Sequence, residues 1–281
     1  MNSNFAYLIS ARGVLNGLCI AYNKGIMALK APARVETQFE TAHLFGYPVH
    51  LVTALQARTF VKNAIDQHRT VQVVTLNPEM IMQGDTNPEL GDLLRSADLV
   101  LPDGAGVVWA LRRQGYQVNR LPGIEFSESL LSWAAEVGEP IAIVGATRQA
   151  LDLAVQTLQV RYPKLNIAYH HHGFFKTDDE ENLIAQSCAA TLPKIVLVAL
   201  GVPRQEFWIQ RHRHLFPGAT LIGIGGSLDV WSGKLQRAPE WMRQMNLEWV
   251  YRIATEPWRI KRTYKTLPLF VVKVLLFGNQ S

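Results

Sequence analysis

The sequence predicts an α/β protein built on a mainly parallel sheet with helices on both faces, followed by a C-terminal helical, basic appendage. Three observations carry this. Short apolar, β-branched runs recur at Val71 to Leu76, Leu99 to Leu101, Ile141 to Val144, Ile195 to Leu200 and Thr220 to Ile224, and such runs read as strands buried on both faces. Between them lie stretches with helical spacing, at Leu55 to Ile65, Ala105 to Arg113, Ser127 to Val137, Ala150 to Val160 and Gln205 to His214; this alternation puts helices over a parallel, Rossmann-like sheet. After Gly233 the alternation stops and a different pattern begins.

Three segments follow from this. Residues 1–43 form an N-terminal extension of unknown role. Its apolar stretch from Val14 to Leu29 is broken by Asn16, Gly17, Asn23, Lys24 and Gly25, too often for a bilayer span or the continuous apolar core of a signal peptide. Residues 44–233 hold the alternating core. In residues 234–281, Pro239 suits a first helical turn and Pro257 ends or kinks it, which predicts short amphipathic helices at about 239 to 256 and 257 to 266. The last apolar run, Leu267 to Phe277, is eleven residues long and contains Lys273. It is too short to cross a bilayer but long enough to lie in an interface.

Composition narrows the class. The chain is 48% apolar and 18% charged, the balance of a folded protein rather than a disordered one. Cys19 and Cys188 lie far apart with no Cys-x-x-Cys spacing, so neither a disulfide framework nor a zinc site is expected and a reducing cytoplasm fits. The net charge of +5 is uneven: from Trp231 onward nine Lys and Arg face three Glu, so the tail is +6 and the rest −1. A basic tail on a near-neutral body fits an anionic partner such as phosphates or an anionic membrane.

In parallel α/β sheets ligands bind beyond the carboxyl ends of the strands. Five turns stand there: Thr75 to Glu79 with Asn77, Pro102 to Gly106 with Asp103 and Gly104, Gly145 to Thr147, Gly201 to Glu206 with Gln205, and Gly223 to Asp229 with Gly225. Each offers small residues and backbone N–H groups at a helix start, which suits a phosphate. Each also has a plainer explanation: an Asp before Gly more often caps a helix, and Thr75 and Asn77 are turn-formers. Neither a P-loop nor a clean Gly-x-Gly-x-x-Gly follows any strand, which counts against a nucleotide-dependent oxidoreductase. The consecutive histidines 170–172 would point to alternating sides of an extended segment, so no metal site is expected from them.

The series TLNPEM, LVLPDGAGVVW, RLPGIEF, VGATRQAL, GVPRQEFWI, GIGGSLDVWSGKLQRAPEW and LEWVYRIATEPWRIKRTY resembles, in order and spacing, the WecG/TagA/CpsF family of bacterial glycosyltransferases, from about Leu44 to Leu267. That resemblance implies inverting transfer of N-acetylmannosamine or a related sugar from UDP to undecaprenyl-diphosphate-linked N-acetylglucosamine, in teichoic acid, common-antigen or capsule assembly, without a required metal or other cofactor. It implies Asp103 as general base beside Thr75, Asn77 and Arg120, with Gln205 near the donor and Arg252, Arg259 and Arg262 reaching the diphosphates. Gly104, Gly145, Gly225 and Asp229, from the turns above, are expected to bind the UDP-sugar. Val202, Arg204 and Leu121 depart from the family pattern without removing a proposed catalytic group.

The residues alone leave a non-catalytic, membrane-bound nucleotide-binding protein as a further reading; it would keep the glycine turns but has no need of Asp103 opposite a cluster of arginines. Expected partners are a UDP-sugar, a lipid-linked acceptor and an anionic membrane surface, not nucleic acid, with homo-oligomerisation left open. The expected location is the inner face of the cell membrane.

Overall fold

The structure, a computed structural model, describes residues 39–245, 247–256 and 260–278, with backbone only for 260–265. Six parallel strands form one sheet in the order β4-β3-β8-β7-β5-β6, made of β3 (Val71–Leu76), β4 (Leu99–Pro102), β5 (Ile141–Gly145), β6 (Ile167–His171), β7 (Ile195–Ala199) and β8 (Thr220–Gly223). All residues of β3, β4, β5, β7 and β8 are buried, as helices on both faces require.

The connecting helices are α1 (Ala54–Asp66), α2 (Pro78–Thr86), α3 (Pro88–Ser96), α4 (Ala105–Arg113), α5 (Gly123–Val137), α6 (Arg148–Arg161), α7 (Asp178–Ala189), α8 (Arg204–His212) and the short α9 (Ser227–Trp231). From β3 the chain moves out to the edge strand β4, then crosses to β5 on the far side of β8 and β7. That reversal opens a crevice above the carboxyl ends of the central strands, where a ligand can enter.

Elements that the alternating pattern left out have physical reasons. The hairpin β1 (Thr41–Leu44) and β2 (Tyr47–His50) turns through Phe45 and Gly46, both at positive φ (55° and 79°). Phe in a left-handed position lacks the usual Asn-Gly signature of such a turn. The hairpin begins at Thr41, three residues before the expected edge of the core, and His50 Nδ1 accepts the N–H of Val100 in β4 at 2.9 Å. Strand β6 is the second edge, only partly buried. Helices α2 and α3 each begin with an Asn cap followed by Pro, Asn77-Pro78 and Asn87-Pro88.

The C-terminal layer is α10 (Glu240–Gln244), α11 (Glu248–Thr255) and α12 (Ile260–Phe277). The two helices expected over 239 to 266 are therefore three, and the last runs on through Pro268 to Phe277 rather than stopping near 266. It does so because one face is buried. Phe270 and Val274 belong to the same core cluster as Leu44, Tyr47, Leu76 and Val107, and Phe270 meets Phe45 edge-on at 6.1 Å. Lys273 pairs with Asp85 of α2 and lies 4.4 Å over the Phe45 ring. Among the described residues no helix is long and apolar enough to cross a membrane.

Candidate active site

A cavity of about 570 Å³ opens at the carboxyl ends of β3, β4, β7 and β8. The turn after each of these strands contributes to its wall, and α11 and α12 close the opposite side with Trp249, Arg252, Ile253, Leu267, Phe270 and Val271.

Asp103 follows β4. Its N–H donates to the carbonyls of Leu76 and Leu101, which fixes the backbone against both neighbouring strand ends. It does not cap α4: the capping position is Gly104, at φ 85°, and no side chain caps that helix. The carboxylate instead accepts the N–H of Gly123 at 3.4 Å, at the uncapped start of α5. Gly123 is required by close approach, since a Cβ there would lie 2.9 Å from Thr75 Cγ2. Asp103 keeps some accessible surface on the cavity wall, but its carboxyl group is packed within protein, and this desolvation raises its pKa. Glu248 adds to the rise, while Arg120, the Gly123 N–H and Arg252 oppose it. A carboxylate with a raised pKa is the stronger base.

Thr75, largely buried, and Asn77 stand beside Asp103 in the wall. Asn77 also has the structural task that its position suggested, because its Oδ1 caps α2 by accepting the N–H groups of Glu79 and Met80. Gln205 is 3% exposed; its Oε1 accepts the Gly225 N–H at 3.0 Å and its Nε2 donates to Glu206 Oε1 at 2.8 Å. Both amide atoms are thus oriented, and the nitrogen retains a second N–H.

The positive charge enters from Arg120 and Arg252, and both are held by one carboxylate. Glu248, buried at the start of α11, accepts Arg120 at 3.0 Å and Arg252 at 3.1 Å, with Arg237 at 3.6 Å. Burial alone would raise its pKa, but Arg252, Arg237 and Arg120 together outweigh it and hold the carboxyl below the usual range. Arg237 continues to Glu125 at 2.9 Å, which also meets Arg243 at 3.5 Å.

Of the residues expected from sequence, Thr75, Asn77, Asp103, Gly104, Arg120, Gln205, Gly225 and Arg252 line this one cavity. Two do not. Gly145 is a packing glycine: a Cβ there would lie 2.4 Å from the backbone of Ala199, so its absence lets β5 lie against β7. Asp229, in α9, is paired with Lys234 at 3.8 Å and is not part of the wall. Arg259 and the side chain of Arg262 lie outside the described residues. Sequence reasoning missed Glu248 and Trp109, and gave Trp249 only a bilayer-interface role rather than a place in the cavity wall. Trp109 had a signal as an aromatic near a glycine turn, whereas nothing in a helix-start Glu marks it for burial. Among the described residues no group of three or more His, Cys, Asp or Glu comes together to hold a metal.

Parallel strands whose carboxyl ends open on one cavity, with a desolvated carboxylate and two arginines in its wall, have the arrangement of an α/β enzyme's active site. The chain belongs to the glycosyl transferase WecG/TagA/CpsF family, whose model matches residues 42–280. It is similar to the N-acetylglucosaminyldiphosphoundecaprenol N-acetyl-beta-D-mannosaminyltransferases of Bacillus spizizenii, at 37% identity over 88% of this chain and 91% of that one, and of Bacillus subtilis strain 168, at 36% over 85% and 91%. The Staphylococcus aureus strain NCTC 8325 enzyme is 33% identical over 85% of this chain and 95% of its own.

Proposed function

We propose that this glycosyltransferase moves N-acetylmannosamine, or a closely related sugar, from UDP to the N-acetylglucosamine of an undecaprenyl-diphosphate-linked acceptor, with inversion, at the inner face of the cell membrane. The observation that carries the reading is Asp103 in one cavity with Arg120 and Arg252, in a chain so similar to enzymes named for that transfer. The acceptor hydroxyl attacks the anomeric carbon from the face opposite the diphosphate and gives its proton to Asp103. The bond from the anomeric carbon to the diphosphate breaks, and UDP leaves with the added negative charge. Arg120 and Arg252, in the same cavity wall, are the cations available to offset that charge.

The apolar wall from Trp249, Leu267 and Val271 favours an acceptor with a lipid portion. The exposed side chains of Trp241, Leu269, Val272, Leu275, Leu276 and Phe277 suit the edge of a bilayer. UDP release should be measured with UDP-N-acetylmannosamine, UDP-N-acetylmannosaminuronate, UDP-N-acetylglucosamine and UDP-glucose, each with and without a short-chain diphosphate-linked N-acetylglucosamine. Acceptor-dependent release from UDP-N-acetylmannosamine, undiminished by excess EDTA because arginines carry the diphosphate charge, is the expected result. Acceptor-independent hydrolysis of all four, or no release from any, counts against the reading.

A further inference from the structure

We propose that Glu248 is a positioning residue for this reaction: its carboxylate holds Arg120 and Arg252 together on the cavity wall and sets the charge that surrounds Asp103. The inference rests on the transferase reading above. It begins from the geometry, in which a residue of the C-terminal layer reaches three arginines from three places. Arg120 comes from the loop before α5, Arg237 from the segment after α9, and Arg252 from the next turn of α11 itself. The side chain of Glu248 is 10% exposed and that of Arg120 is 13% exposed, so this is not a solvated surface pair.

Two guanidinium groups facing one cavity repel each other and have long, flexible stems. A buried carboxylate between them offsets that repulsion and restricts both rotamers before any ligand arrives. Breaking a buried pair by removing one partner leaves the others uncompensated. The arrangement also joins the two sides of the site, since Glu248 of α11 pairs with Arg120 and Arg237 from outside the helix and with Arg252 within it.

The second consequence is electrostatic. The groups facing Asp103 are Arg120, Arg252, Glu248 and the Gly123 N–H, and Glu79 of α2 also lines the cavity. The negative charge of Glu248 favours the protonated form of Asp103, and the two arginines disfavour it. Taking away that negative charge while keeping the arginines must lower the Asp103 pKa, so the base becomes weaker but stays ionised to lower pH.

The test is the pH dependence of kcat and of kcat/KM for wild type, Glu248→Gln and Glu248→Asp, with UDP release as the readout. Wild type must first show acceptor-dependent turnover; if it shows none, the transferase reading fails, whatever the variants do. With wild type active, Glu248→Gln should lower kcat by about tenfold with donor KM little changed, because Arg120 and Arg252 are no longer held in place for the transition state and Asp103 becomes a weaker base. Its acid limb should move to lower pH. Glu248→Asp keeps the charge but reaches less far, so its acid limb should stay at the wild-type position with kcat between the other two. Wild-type kcat in Glu248→Gln overturns the proposal. A lower kcat with an unmoved acid limb also overturns it, since that is the behaviour of a purely structural tie. If Glu248→Gln fails to fold, Glu248→Asp decides alone: full wild-type kcat, or a displaced acid limb, refutes the role.

Discussion

Two buried glutamates show how differently the sheet end of the cavity and its C-terminal wall are built. Glu206, in the first turn of α8 under the sheet end, is 2% exposed and its carboxyl sits beside Gln205. Burial pushes its pKa to about 7. Glu248, in the C-terminal wall, is almost as buried but is surrounded by Arg120, Arg237 and Arg252, and its pKa falls below the usual range. The sheet end shapes the site through backbone: strand ends, Gly104 at positive φ, Gly123 against Thr75. The C-terminal wall adds charge: Arg252, and Glu248, which ties it to Arg120 from the core. A base needs a fixed, desolvated position, and a departing diphosphate needs cations; the sheet end provides the first, and the two regions share the second.

The strongest way to break that division is to remove the wall. Truncation before Leu247 deletes Glu248 and Arg252 together with Phe270 and Val274, so transfer should fall to background. The remaining core should also lose stability, because Phe270 fills space against Gly106 and Phe45. Phe270→Ala separates the two effects: it keeps the arginines and should lower stability by about 3–5 kcal/mol, the usual result of emptying a buried aromatic site, as read by denaturant unfolding. A truncated protein as stable as the full chain would make the wall an accessory layer rather than part of the core.

Next in size is the loss of the base. Asp103→Asn keeps volume and an acceptor for the Gly123 N–H but no basicity, so turnover should fall by about a hundredfold or more with UDP affinity little changed. Binding by calorimetry and turnover by UDP release, measured on the same preparation, check both halves. Normal turnover would move the catalytic task out of the sheet end altogether.

The same division explains what could be read from sequence. The central strands were legible because burial on both faces leaves an unbroken β-branched run, and the turns after them were legible because small residues must stand at the mouth of a cavity. Asp103 was visible as a position, but its burial and its freedom from capping were not. Gly145 looked like a binding turn for the same reason that Gly104 and Gly225 did; only the Ala199 backbone beside it shows that its task is packing. In the wall, Arg252 was visible through charge and family motif, whereas the tie from Glu248 to Arg120 and the core role of Phe270 depend on contacts with residues more than a hundred positions away. Local pattern carries no record of such contacts.

The smallest effect on turnover is expected from Glu206→Gln, which sharpens the comparison by making the sheet-end glutamate neutral at every pH. The introduced side-chain amide could still accept from the Gln205 amide through its oxygen, so the Gln205 to Gly225 contact should survive and turnover at pH 7 should stay within about twofold. Stability is where the change should be read. Glu206 has an ordinary pKa of 4.5 and is raised to about 7 in the fold, chiefly by burial. Between those values the folded protein holds a proton that the unfolded chain has released. The native state therefore binds more protons than the unfolded state, and stability must fall as pH rises through this window. The contribution is fully present below pH 4.5 and lost above about pH 7, a fall of roughly 3 kcal/mol at most. Glu206 Oε2 has no hydrogen-bond partner among the described residues, so the ionised form is compensated only in part, by the Gln205 amide on Oε1 and a backbone N–H, and burial prevails. Denaturant unfolding at pH 5 and pH 8 should find wild type and Glu206→Gln nearly equal in the acid, with the variant more stable in the alkali. Glu248→Gln should do the reverse at pH 8, losing stability, because there the removed charge was paired with three arginines. If both variants shift stability in the same direction at pH 8, the contrast between an unpaired sheet-end carboxyl and a paired wall carboxylate is wrong.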